Sequence, residues 1–393
     1  MPLLMPLNPL KSLFSRKSTV DGAGEKLSAS SPRYAFAFPS PYKQPRILIL
    51  VDNVRATYFL FFHYVLLRLH NTESLAFFVL DSAEVSNWTK GKTPEAFVEQ
   101  VIADTQPTLV VFSRYGLPYG DVLPALFKAK GIATVCHIDD DLLNINQALG
   151  KEIQQRQGDP VVLAARQILL EQTDLIYAST AALGDRFAQQ FPNQTIFSAR
   201  CTPYLDFLIE SEPNQKKLLT FGYMGSKGHQ EDLNAIAPQI ADILTNYPQV
   251  RFETFGTIEM PEMLKTFSKQ TKAYGTEPDY AKFLNQLQQL NWAIGLAPLQ
   301  DTNFNRYKTP SKYIEYTACG IATIASEGPV YKQFAPEEQI LLAAPDQWTN
   351  KIQQLIEDES LRQMLVANGQ SFCAEAFSLE AVEAQIKELL ALV

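Results

Sequence analysis

The sequence is short of cysteine, of positive charge and of long apolar runs, and each shortage removes a class of protein. Its four cysteines, Cys136, Cys201, Cys319 and Cys373, are scattered, with no C-x-x-C pair. That spacing argues against a disulfide framework and against a cysteine-based zinc site. Three of them fall in apolar stretches, where a free thiol packs as a small hydrophobe, and a reducing cytoplasm is the simplest expectation. A net charge of −8 argues against a broad electrostatic grip on nucleic acid, although local pockets for phosphate remain open. No apolar run approaches the roughly 20 residues of a membrane-spanning helix. The longest, residues 58–67, contains His63 and runs into Arg68 and His70, so it reads as a buried helix beside a strand. His63, His70 and His137 show no metal-ligand spacing, and no metal site is expected. There is no G-x-S-x-G elbow for hydrolysis and no G-x-G-x-x-G dinucleotide fingerprint.

What is present is 393 residues, 46% hydrophobic and 19% charged, enough for two domains with sizeable cores. Residues 1–44 mix Pro, Ser and Lys without a sustained period and read as a disordered tail; weak contact with the inner face of a membrane is the functional alternative for this tail. From Arg46 the pattern changes. Continuous apolar runs at 47–51, 75–80, 108–112, 132–138 and 175–178 alternate with helical stretches such as 94–103 and 161–171, predicting a first domain over 45–204. A polar, proline-bearing linker is expected over 205–216. A second series follows over 217–393, with strands at 218–223, 250–255, 292–296 and 321–325. Helices are expected at 232–245, 280–290 and 312–318, then at 348–367 and 379–392. The fold class is therefore α/β, with two doubly wound Rossmann-like domains. Such sheets bind ligands at the carboxyl ends of their strands, so two of them facing across a cleft suit an enzyme with two substrates. Fold alone does not select the chemistry.

Three segments carry candidate chemistry. In the first, a polar loop runs from Ala297 through Lys308 and Thr309 into a helix opening near Pro310, with Ser311, Lys312 and Glu315 in its first turns and Gly320 closing it. A helix start offers unpaired N–H groups and the positive end of the dipole, which suits phosphate. Lys308 and Lys312 add charge, Thr309 and Ser311 add hydroxyls, and Glu315 is placed to accept ribose hydroxyls. An ordinary amphipathic helix before a buried strand accounts for Tyr313, Ile314 and Thr317, but not for the lysines and hydroxyls gathered at its entrance. In the second segment, Gly225-Ser226-Lys227-Gly228-His229 follows a strand and precedes a helix that takes in Asp232; glycines there allow close backbone approach to a phosphate. In the third, Asp139, Asp140 and Asp141 end a buried strand. Adjacent side chains on an extended chain alternate in direction, so the three cannot converge on one ion. One of them capping the next helix is the bland reading. Arg114 ends another strand, as a diphosphate or acceptor contact or as a plain surface arginine.

The stretch Thr309-Pro-Ser-Lys-Tyr-Ile-Glu315-Tyr-Thr-Ala-Cys-Gly-Ile-Ala-Thr-Ile-Ala-Ser326 resembles the donor-site motif of GT-B glycosyltransferases of the large family 4 group. The resemblance implies that Glu315 holds the nucleotide ribose and that Ser311 and Lys312 hold the diphosphate. It also implies that the turn at Gly225 and Ser226 borders the diphosphate, and that Asp139 and Asp140 sit at the cleft rim near the donor sugar or acceptor. The family's second glutamate, eight positions upstream of Glu315, is replaced here by Tyr307, which leaves the sugar-contacting residue unassigned. The implied activity is transfer of a sugar from a nucleotide-diphosphate sugar, UDP- or GDP-linked, to a carbohydrate or lipid-linked acceptor. It would proceed with retention, without a bound metal or a permanent cofactor, and in polysaccharide or glycolipid synthesis. The catalytic set is Asp139, Asp140, Lys308 and Lys312; the nucleotide-binding set is Gly225, Ser226, Lys227, Thr309, Ser311 and Glu315. A sugar-nucleotide epimerase and a catalytically silent nucleotide-sugar-binding scaffold are the alternatives.

Overall fold

The computed structural model describes residues 45–72, 75–145, 151–201, 219–275 and 279–393; the expected tail over 1–44 and linker over 205–216 lie outside the described residues.

The continuous apolar runs form strands buried on both faces. In the first half these are β1 (Arg46–Val51), β2 (Ala76–Asp81), β3 (Leu109–Ser113), β4 (Ala133–Ile138), β5 (Leu175–Ala178) and β6 (Thr195–Ser198). They make one parallel sheet in the order β2-β1-β3-β4-β5-β6. The second half contains β7 (Thr220–Gly225), β8 (Arg251–Gly256), β9 (Thr271–Tyr274), β10 (Ile294–Ala297), β11 (Ala322–Ser326) and β12 (Leu341–Ala343). These also pair in parallel, in the order β12-β11-β10-β7-β8-β9. Parallel sheets need crossovers that cover both faces, and the core shows it. Ile47, Ile49 and Val51 of β1 pack on one side, Leu48 and Leu50 on the other.

The inner apolar layers of the two halves merge. A single cluster holds Phe59, Phe61 and Phe62 with Tyr280, Tyr313 and Ile314, and Phe59 stacks on Tyr280 with ring centroids 5.9 Å apart. The run Ala56–Tyr58, Phe59–His63 and Tyr64–Asn71 supplies the first-half side of this contact as a helix with a π-helical middle. It is the stretch read from sequence as a buried helix. The chain ends by returning to it. Helix Leu379–Ala391 packs on Tyr64–Asn71, and Arg68 bridges Glu380 and Glu383.

Two expected helices are each divided. Residues 232–245 form Gln230–Ala235 and Ala237–Asn246, because Pro238 has no N–H to donate and fits only the first turn of a new helix. The expected helix over 348–367 is Trp348–Glu357 followed by Glu359–Ala376, the second started by the Asp358 side chain accepting from Leu361 N.

In both sheets the strand order reverses once near the middle, between β1 and β3 and between β7 and β10. At such a switch point the connections leave in opposite directions and open a crevice at the carboxyl ends. Asp52 and Arg114 stand at the first crevice, the Gly225 turn and the loop after Ala297 at the second.

Candidate active site between the two sheets

The second-half side is built from the helix Ser311–Ala318 and the loop before it. Pro310 is its N-cap, with φ −76° and ψ 41°, and no side chain caps the N-terminus. The first N–H groups therefore have no intrahelical acceptor. The hydroxyl of Thr309 is buried with no hydrogen-bond partner, a second unsatisfied donor at the same entrance. Lys312 is half-buried, its ammonium 5.5 Å from the centre of the Tyr223 ring. Burial, reinforced by repulsion from Lys308, lowers its pKa to about 8 against the pull of Asp232 and Glu315.

Glu315 lies one turn further in and is buried. Its carboxylate accepts a hydrogen bond from Tyr280 at 2.7 Å. Burial raises it to about 7, while the Tyr280 bond and Lys312 pull the other way. Sequence reasoning had no signal for Tyr280, which arrives from a helix 35 residues earlier in the chain.

The turn after β7 supplies the facing wall. Gly256, at φ +122°, leaves no room for a side chain, since a Cβ there would sit 2.2 Å from the Gly225 carbonyl oxygen. Ser226, Gly228 and His229 line a cavity of about 160 Å³ together with Lys308, Asp140 and Arg114. Lys227 does not join them. Its side chain is 70% exposed and turns outward to Glu259 at 3.3 Å, because the tight 3₁₀ turn Lys227–His229 carries it to the outer side. The cation expected from Lys227 is therefore not at the cavity. The residue missed in that turn is His229. Its Nδ1 lies 2.8 Å from Asp232, and Asp232 also accepts from Gln300 N at 2.9 Å, tying this turn to the loop after β10. Burial and the nearby Lys312 lower His229 to about 4, opposed by Asp232.

From the first half, the end of β4 delivers three aspartates, of which Asp139 and Asp140 converge on Arg114 while Asp141 turns away. Asp139 accepts from Thr57 Oγ1 at 2.7 Å and from Arg114. Asp140 receives Arg114 at 3.0 Å and, from the other half, Lys308 Nζ at 3.0 Å. Asp141 is buried and accepts from Asn144 at 3.0 and 3.1 Å, closing the turn that follows the strand. Burial works to raise Asp140, but Lys308 and Arg114 outweigh it and hold its carboxyl below the usual value. Arg114 sits at φ +50°, and its partners Asp139 and Asp140 overcome burial to raise its pKa. His137 is elsewhere, inside the core against Phe61, Phe62 and Tyr177. Burial lowers it to about 3.

The halves are joined at this place. Besides Lys308 to Asp140, Thr180 donates to the Tyr307 carbonyl at 3.1 Å, and the Tyr307 ring packs on the first-half core. Tyr307, at the position of the family's upstream glutamate, thus docks its loop on the opposite sheet. No cluster of three or more metal-ligating side chains occurs among the described residues. No helix among them is long and apolar enough to cross a membrane.

The model of the glycosyl transferase-like family matches residues 239–388, which include the helix of Glu315. No curated protein sequence matches the chain. Among solved structures, the fold is similar to sucrose-phosphate synthase from Thermosynechococcus elongatus, at TM-score 0.62 and 14% identity, covering 88% of this chain and 98% of that one. It is also similar to Anabaena HepE in complex with UDP-glucose, at TM-score 0.60 and 14% identity, covering 88% and 100%. A third is a UDP-forming trehalose-phosphate synthase from Burkholderia xenovorans, at TM-score 0.57 and 9% identity, covering 88% and 98%. The chain has the GT-B fold of these structures, two six-stranded parallel sheets meeting at their switch points, and its residues 239–388 match the glycosyl transferase-like family.

Proposed function

We propose that the protein moves a sugar from a nucleoside diphosphate sugar to an acceptor hydroxyl, with the nucleotide on the second half and the acceptor on the first. One observation carries the reading: Lys308, in the loop that leads into the helix of Glu315, reaches across to Asp140 of the other half at 3.0 Å. One similar structure, Anabaena HepE, holds UDP-glucose, which supports a nucleotide sugar as co-substrate; the UDP- or GDP-linked choice rests on assay.

In this reading the diphosphate lies against the N–H groups of Ser311 and Lys312, the Thr309 hydroxyl and the turn at Gly225 and Ser226. As the bond from the sugar's C1 to the diphosphate oxygen breaks, negative charge grows on the leaving group. Donors and cations already in place stabilise that charge without reorganising. Lys308 and Lys312 supply the positive charge in the proposed metal-independent route, and Glu315, held by Tyr280, fixes the ribose and hence the reacting carbon. When Lys308 turns to the diphosphate, Asp140 loses one cation. Asp140, with Asp139 beside it, is then free to accept from the acceptor hydroxyl. Retention of configuration and a place in polysaccharide or glycolipid synthesis follow from the resemblance alone.

The test is product analysis with a panel of UDP- and GDP-sugars, with and without acceptors, comparing wild type with Glu315→Ala. The expected result is a labelled glycoside whose formation falls at least a hundredfold in the variant. Equal rates would remove Glu315 from the site, and an isomerised sugar nucleotide formed without acceptor would establish an epimerase. The reading of a silent binding protein draws on Tyr307, which presents no carboxylate where relatives have one; it predicts nucleotide binding with no sugar released from any donor.

A further inference from the structure

Resting on that reading, we propose that the acceptor bears an oxyanion, a phosphate or a carboxylate, beside its reacting hydroxyl, and that Arg55 and Arg156 bind it. A second cavity, of about 210 Å³, opens on the first half beyond Arg114. It lies at the carboxyl ends of the paired strands β1 and β3, where their connections diverge, and its wall includes Asp52, Asn53, Thr57 and Ser113. Those four offer hydrogen bonds suited to a hydroxylated molecule.

Its charges decide which such molecule fits. Four ionised side chains face the cavity: Asp52, Arg55, Arg114 and Arg156. Arg114 is already balanced by Asp139 and Asp140. Asp52 accepts from Gln157 at 3.0 Å and from Asn53 at 3.1 Å. Behind Gln157 stands the buried Arg166, donating to the Gln157 carbonyl at 3.0 Å, so the wall behind Asp52 is itself cationic. Arg55 and Arg156 are exposed at the rim, and neither has a carboxylate within ion-pair distance among the described residues. In a chain of net charge −8, two uncompensated guanidiniums on one concave wall reverse the local field. A guanidinium fork matches the paired oxygens of phosphate or carboxylate. Arg156 also lines the cavity shared with Lys308 and His229, whereas Arg55 belongs to the second cavity alone. Arg55 is thus the residue that reports on the acceptor without touching the donor.

The experiment measures dissociation constants for glucose 6-phosphate, glucuronate, glucose and inorganic phosphate at constant ionic strength. Vesicles of phosphatidylglycerol against phosphatidylcholine ask whether the oxyanion is carried on a lipid. Wild type, Arg55→Gln, Arg55→Lys and Arg156→Gln are compared, each also titrated with UDP and GDP. We expect at least one oxyanion-bearing hydroxyl compound, soluble or lipid-borne, to bind tenfold or more tighter than its neutral counterpart. That preference should fall below threefold in Arg55→Gln and persist in Arg55→Lys, with nucleotide affinity unchanged in both. Equal binding of neutral and anionic compounds, or a preference surviving both glutamine variants, overturns the proposal. Failure of the wild type to bind any nucleoside diphosphate strikes the glycosyltransferase reading instead, since the anion preference is read on the free protein.

Discussion

Two residues of the helix Ser311–Ala318 are moved towards neutrality from opposite sides. Lys312, lowered to about 8, is charged below that pH and neutral above it. Glu315, raised to about 7, is ionised above that pH and protonated below it. A diphosphate needs the ammonium and a ribose diol needs the carboxylate, so nucleoside diphosphate affinity should peak between about 7 and about 8. Calorimetric titration across pH checks this. Lys312→Met should abolish the alkaline limb and Glu315→Gln the acid limb, the latter separating Glu315 from the ligand's own phosphate titration near pH 6, about where second phosphate pKa values lie. A pH-independent affinity would contradict both assignments. Tyr280→Phe removes the bond that holds Glu315 down, so the acid limb should move to higher pH, with affinity at pH 7 reduced several-fold. The same limb in the variant as in wild type would deny Tyr280 this positioning role.

At the scale of elements, the legible parts were those where one pattern was strong. The runs at β1, β4 and β7 were read within about two residues because a strand buried on both faces is apolar along most of its length. β6, β9 and β12 were not read. They are edge strands of four, four and three residues, and β9 is half-exposed, so neither length nor alternation marks them. The divided helix at Pro238 was within reach of the sequence, since proline's missing N–H was there to be read. In the candidate site, the helix start near Pro310 was legible, and the helix Ser311–Ala318 begins there. Tyr280, Arg156 and Gln157 were not, because what qualifies them is where other elements place them. Gly256 belongs with this group. Its φ of +122° and the contact beneath it hold the turn at Gly225, so Gly256→Ala should destabilise the fold by about 1–3 kcal/mol through backbone strain and weaken nucleotide binding in the folded fraction. Chemical denaturation and UDP titration measure the two effects; wild-type values for both would show that the turn tolerates a side chain.

At the scale of the whole molecule, the halves share one apolar layer on their inner sides, the last helix returns to the first half, and the polar cleft is crossed by the pair Lys308–Asp140. If Lys308 exchanges Asp140 for the diphosphate, that pair is a contact of the free protein. A double-mutant cycle of Lys308→Met and Asp140→Asn, followed by thermal or chemical denaturation, should show a coupling of about 1 kcal/mol without nucleotide. The coupling should vanish at saturating UDP. Coupling unchanged by nucleotide would mean that Lys308 stays on Asp140 and takes no part in holding the leaving group.

A crystal structure with a nucleoside diphosphate bound would show whether the entrance to the helix of Glu315 grips a pyrophosphate across the gap between the sheets. Pyrophosphate oxygens are expected within hydrogen-bond reach of the Ser311 and Lys312 N–H groups, with the ribose on Glu315 and Lys308 turned from Asp140 to phosphate. A pyrophosphate seated away from that helix, with Lys308 still on Asp140, would contradict the proposed site.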